Sequence, residues 1–176
     1  MTRESLKTRQ TLAAMTELAR VASIMVDGEE VLRLAAGRTP YHVACPDPLY
    51  DGVDGKPCDA WLLGFLRMKK TLRRLETLVE FTCNTALWTN PPERDGRMAL
   101  LMHNGNVHRY YVFGDVEMET PPEMSEVMAG GEATTVEGGD RLTVLTPLLD
   151  SLGDVVGIVE LTAEDPAAKS MVPAHE

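Results

Sequence analysis

The hydrophobic period changes once along the chain, at Val79. Upstream, Leu12, Met15, Leu18, Ala19, Ala22, Met25 and Val26 recur at three- and four-residue steps, the spacing of one helical face. Downstream, Val79, Phe81, Cys83, Thr85 and Leu87 alternate with Glu80, Thr82, Asn84, Ala86 and Trp88, the two-residue period of a strand. A chain that spends its helices first and then runs strands joined by short turns builds an antiparallel sheet with helices laid on it. The fold class is therefore α+β.

The first helix is expected over 3–26. Asp27-Gly28 interrupts it, and a shorter helix runs through Val31, Leu32, Leu34 and Ala35 until Gly37 stops it, as glycine past a helix end does. Residues 38–57 carry Pro40, Pro46, Pro48, Gly52, Gly55 and Pro57, a density of breakers that predicts an irregular segment. A third helix runs from Asp59, a capping residue, to about Leu78. Trp61, Leu62, Phe65, Leu66, Leu72 and Leu75 form its apolar stripe. Arg67, Lys69, Lys70, Arg73 and Arg74 form a basic patch on it, read either as a solvated face or as a docking surface for an acidic partner.

Among the strands, residues 97–103 lead to Asn104-Gly105, the dipeptide most favoured in two-residue hairpins, and 106–113 are expected to return from it. Pro121 and Pro122 open a short helix that ends at Gly130-Gly131. The stretch LTVLTPLLDSLGDVVGIVEL (142–161) is a closing hairpin: Asp150-Ser151 start its turn and Gly153 supplies the unusual φ. Gly157 leaves room for a close neighbour, either a packed helix or a ligand. About five strands result. Both faces of the last strand are apolar, so the sheet is expected to be covered on both sides, with Glu160 grouped with Val156 and Ile158. His103 and His108 flank the Asn-Gly turn and are expected to be exposed.

The formal net charge is −10, and it is uneven: residues 1–80 hold 12 Lys/Arg and 11 Asp/Glu, residues 81–176 hold 5 and 16. That balance argues against nucleic acid as the main partner. No apolar run is long enough to span a bilayer, and the polar N-terminus lacks a signal-peptide stretch. The chain as written reads as cytoplasmic, with an extracytoplasmic piece of a membrane receptor as the alternative. Cys45, Cys58 and Cys83 show no metal or redox spacing, so no metal and no cofactor are expected, and Cys83 reads as a small core residue. No nucleophile elbow, phosphate loop or zinc-protease motif is present, which points away from an enzyme.

Several of these features resemble the Cache-type sensor domains, PAS-like modules of bacterial signalling proteins. They are the glycine-ended short helix at Gly130-Gly131, the Thr146-Pro147-Leu148 segment, the Asp150–Gly153 turn and Val155-Val156-Gly157. The resemblance implies a PAS-like, Cache-like antiparallel sheet of about five strands with a long N-terminal helix and flanking helices. It divides the chain into an N-terminal helical segment for signalling and dimerisation (1–37), a sensor domain (38–165) and a flexible tail (166–176). The function implied is a small-molecule-binding sensory or regulatory domain of a bacterial signal-transduction system, relaying binding through the N-terminal helix. Its partners would be a ligand, a second copy, and an output domain or partner protein. A non-catalytic dimerisation scaffold without ligand is the alternative.

The candidate ligand-binding residues are Arg109, Tyr111, Trp88, Thr146 and Glu160. Arg109 and Tyr111 combine a forked donor with an aromatic wall, suited to a carboxylate. Glu160 is the one charge inside the returning strand. A carboxylate there must be paired or wet, so it is expected to meet Arg109 or Arg141 or to face a polar pocket.

Overall fold

Asp27 ends one helix and begins the next. Its Oδ1 accepts the backbone N–H groups of Glu29 and Glu30 at 2.9 and 3.4 Å, a cap for the second helix. This junction separates α1 (Arg3–Met25) from α2 (Gly28–Ala36). A computed structural model describes residues 3–36, 59–91, 95–104, 110 and 117–168. The breaker-rich stretch 38–57 and, apart from Tyr110, the expected return strand 106–113 lie outside the described residues, as do Cys45, Cys58 and His108. Helix α3 covers Asp59–Glu76 and α4 covers Pro122–Gly130. Helix α4 has proline in its first turn and ends at Gly131, whose φ of 66° lets its N–H bond Val127 O.

The strands are β1 (Cys83–Thr89), β2 (Arg97–His103), β3 (Glu117–Glu119), β4 (Thr134–Gly138), β5 (Arg141–Leu149) and β6 (Val155–Glu164). They form one sheet in the order β3-β2-β1-β6-β5-β4, antiparallel at every pairing. The α+β class and antiparallel sheet are as the sequence predicts, with six strands in place of about five. The two edge strands, β3 and β4, are not among the strands expected from the sequence.

Alternation divides the sheet into two buried layers. One side carries Leu87, Val144, Leu148, Val159 and Leu161 against Met15, Leu18 and Ala22 of α1, Val31 and Leu34 of α2, and Phe65, Leu72 and Leu75 of α3. The other carries Ala86, Trp88, Met98, Leu100, Leu145 and Ile158 against Met124 and Val127 of α4. The sheet is covered on both sides, as both apolar faces of β6 require. Cys83 is buried in the first layer, and burial pushes its thiol up to about 12.

Three local expectations are corrected. A two-residue turn at Asn104-Gly105 would place Arg97 opposite Val112, but Arg97 lies opposite Glu119. Asn104 instead extends the β1–β2 pairing, its N–H donating to Thr85 O at 2.8 Å. His103, expected at an exposed turn, is consequently buried. Val156 does not share a face with Glu160: a bulge shifts the β5–β6 register next to Leu148. Val156 then packs in the α1–α3 layer, while Val155 approaches Gly131 at the end of α4. One extra residue flips every side chain before it.

The closing hairpin forms as read. Asp150 Oδ1 accepts the N–H groups of Leu152 and Asp154, both at 2.9 Å, and Gly153 has φ 87°. The neighbours that need Gly157 bare are the strand next door and a helix. A Cβ there would stand 2.7 Å from Trp88 O and 3.5 Å from Val31 of α2. No described helix is long and apolar enough to cross a membrane.

Candidate functional site

Glu160 sits in the middle of β6, opposite Ala86 of β1 on one side and Leu145 of β5 on the other. It is fully buried. Taking a carboxylate out of water costs several kcal/mol unless donors replace the lost hydration. Trp88 and Thr162 are among the donors that do so here. Trp88 Nε1–H donates to Oε2 at 2.7 Å, and the Thr162 hydroxyl donates to Oε1 at 2.9 Å. Trp88 reaches it along the diagonal of the β1–β6 pair, since Trp88 itself lies opposite Ile158.

The next rank of the same face is polar across three strands. Asn84, Thr162 and Thr143 lie side by side on β1, β6 and β5, all buried. The Thr143 hydroxyl has no hydrogen-bond partner among the described residues. A fully buried, unserved hydroxyl costs on the order of 1–3 kcal/mol. Beyond it, Arg141 faces Glu164 and lies 3.7 Å from Asp140. A row of hydrogen-bonding groups thus runs down the α4 side of the sheet centre, next to the apolar layer of Trp88, Leu145, Ile158, Met124 and Val127. Met98 and Met124 are buried in that layer, and Met118 and Met128 pack against it. Thioether side chains of this kind repack readily around a changing shape. Tyr110 also packs there.

The structure therefore brings Trp88 and Glu160 into direct contact. It does not bring Thr146 to them. Thr146 is buried but lies opposite Val159, a residue of the α1–α3 layer, so it points to the other side of the sheet. Arg109 and Tyr111 lie outside the described residues. Thr143 and Thr162 were missed in the sequence although their signal was present: each interrupts an apolar run, and Thr162 shares the parity of Glu160.

A second buried polar group ties α3 to β1. Glu76 Oε1 accepts the Thr85 N–H at 2.8 Å and the Thr85 hydroxyl at 2.9 Å, and the Asn104 amide lies 3.3 Å from that hydroxyl. Burial raises the Glu76 carboxyl above its usual range, with the Thr85 and Asn104 hydrogen bonds and Arg73 opposing. Every group in this cluster has a structural partner. Among the described residues, two concavities lie away from the Glu160 row. One is a 180 Å³ hollow beside Thr11, Phe81 and Glu164. The other is a 430 Å³ groove on α3 among Leu66, Lys69, Lys70, Arg73, Arg74 and Thr77.

No family model matches this chain, and no curated protein matches its sequence. Among solved structures, the chain is similar to an A. Aeolicus nlh2 GAF domain in an inactive state, at 12% identity over 83% of this chain and 82% of that one, with a TM-score of 0.40. It is also similar to an IcIR transcriptional regulator from Alicyclobacillus acidocaldarius, at 12% identity over 52% of each chain, with a TM-score of 0.32.

Proposed function

We propose that the chain is a small-molecule-binding sensory or regulatory domain, of the Cache-type class its sequence resembles, and that its ligand is read by the Glu160 row. The observation that carries this reading is a carboxylate buried at the sheet centre, held by Trp88 and Thr162, beside the unpartnered Thr143 hydroxyl. Buried polar groups grouped next to an adaptable apolar layer are the usual chemistry of a ligand site. Helix α4 is the movable cover in this reading, because its Met124 and Val127 close that side. Arg109 and Tyr111, in the connection between β2 and β3, are proposed as further contacts on their chemistry. The role is one of binding rather than catalysis.

The relay follows from strand geometry. Glu160 faces the α4 side, while its neighbours Val159 and Leu161 pack in the layer that holds α1. A shift of β6 on ligand binding is therefore felt by α1, and a ligand that prefers one position of β6 shifts the population of both. The scaffold alternative draws its support from the filled layer around Trp88, Met98, Leu100 and Ile158.

A thermal-shift panel separates the two. A carboxylate acceptor selects N–H and O–H donors, so amines and purines lead the panel, with nucleotides and small carboxylates beside them. A ligand at a hundredfold above its Kd adds about 2.7 kcal/mol of stability. That gain is expected in the wild type and lost in Glu160→Gln, which keeps an acceptor for Trp88 but removes the charge. A panel without a hit, or a hit equally strong on the variant, favours the scaffold.

A further inference from the structure

Helix α3 concentrates positive charge on a protein that is otherwise acidic. Arg67, Lys70, Arg73 and Arg74 are all exposed, and none of them forms an ion pair among the described residues. The spacing brings like charges together: Arg67 and Lys70 are three apart, Lys70 and Arg73 three, Lys70 and Arg74 four. Such pairs destabilise a helix. Arg73 and Arg74 lie in the last turn, where the helix dipole favours cations, but Arg67 and Lys70 gain little from it. The arrangement opposes the stability of the helix that carries it. Beside it, Leu63 and Leu66 stand half-exposed at 53% each, and Leu66 lines the 430 Å³ groove with Lys69, Lys70, Arg73 and Arg74.

We infer that this face of α3 is a docking surface for a carboxylate-rich protein segment that carries a large apolar side chain. The charge complementarity is specific to such a segment. Carboxylates meet Arg67, Lys70, Arg73 and Arg74, and the apolar side chain enters the groove over Leu66. A nucleic acid fits less well: the patch is confined to one short helix, its neighbours are leucines, and the remaining surface of a chain with net charge −10 repels a phosphate backbone. Lys69 has a structural duty in the same place, donating to His103 O. That bond fixes α3 against the end of β2 and makes the surface rigid before a partner arrives.

The test is fluorescence anisotropy on the full chain with a labelled helical peptide that carries Glu along one face and Leu along the other. Controls are the same peptide with Gln for Glu, a single-stranded oligonucleotide, and phosphatidylglycerol vesicles. The Glu peptide is expected to bind, to weaken as salt rises, and to lose affinity on the order of tenfold in Lys70→Glu/Arg74→Glu. Leu66→Ser is expected to weaken it at constant salt dependence. Both sites are exposed, so the variants keep the wild-type thermal midpoint. Should the charge reversal fail to fold, Lys70→Gln/Arg74→Gln replaces it, with a smaller loss expected. The proposal is overturned if the Gln peptide binds as well as the Glu peptide, if the charge variants bind unchanged, or if the oligonucleotide or the vesicles bind more tightly than the peptide. It is equally overturned if the α3 variants abolish self-association of the chain, which would make a second copy the occupant.

Discussion

Glu160 accepts the Trp88 indole N–H, and truncating Glu160 orphans that donor. Glu160→Ala removes both acceptors at once, leaves the Trp88 N–H buried without a partner, and opens a small cavity. A loss of about 2–4 kcal/mol is expected in urea unfolding. An unchanged midpoint would mean that water reaches the row. Gly157 tests the same strand from its backbone. A Cβ at 2.7 Å from Trp88 O has only main chain to push against, so Gly157→Ala is expected to cost about 1–3 kcal/mol, with Gly130→Ala, whose added Cβ meets nothing, as the innocuous control. Equal midpoints for the two variants would contradict the close approach. Glu160 stood out in the sequence because a lone charge in an apolar run demands a partner. The identity of that partner did not, because Trp88 and Glu160 meet only through the β1–β6 register, which no local pattern encodes. Thr146 was placed by motif position. Its own parity with Val144 and Leu148 already assigned it to the opposite face.

At the level of elements, α3 is anchored at its end by Glu76, and this anchor titrates. The folded-state pKa of Glu76 is raised, chiefly by desolvation. The folded protein therefore binds this proton more tightly than the unfolded chain, so stability rises as pH falls from above the raised value toward the ordinary value of 4.5. Glu76→Gln keeps an acceptor for Thr85 and does not titrate. Wild type is thus expected to gain stability relative to this variant as the pH is lowered through that window. Parallel unfolding midpoints across it would show that Glu76 is not desolvated. The helices themselves were readable from their period, since each buries a stripe that is local in sequence: α1 was expected over 3–26 and spans Arg3–Met25. The β2–β3 connection was not. Asn104-Gly105 has the local preference for a tight turn, but the bond from Asn104 N–H to Thr85 O carries the chain past that point, and pairing outweighs turn propensity.

For the molecule as a whole, the α1–α2 junction and the β5–β6 hairpin make one end. Gly28 packs against Leu149 O, and Ser151 N–H donates to Glu29 Oε1 at 2.9 Å. The hydrogen bonds from Ser151 hold the Glu29 carboxyl below its usual range. On this end Ile24 is 73% and Leu152 85% exposed, with Met25, Leu32 and Leu149 also open. Large apolar side chains left exposed near one end make that end a candidate contact between two copies. Homodimerisation through this end is the expected outcome. Removing residues 1–20 cannot test it, because Met15, Leu18 and Ala19 belong to the core. The sound variant is Ile24→Asp/Leu152→Asp, which changes only exposed positions. Light scattering is expected to give a dimer mass for the wild type and a monomer mass for the variant. The rim supplies a second criterion. Asp27, Glu29 and Asp154 are exposed around the patch, so two copies meeting here repel at low ionic strength, and salt strengthens the dimer by screening that repulsion. Docking at α3 weakens with salt. A self-association that weakens with added salt, or that survives the double substitution, would rule out this end as the dimer interface.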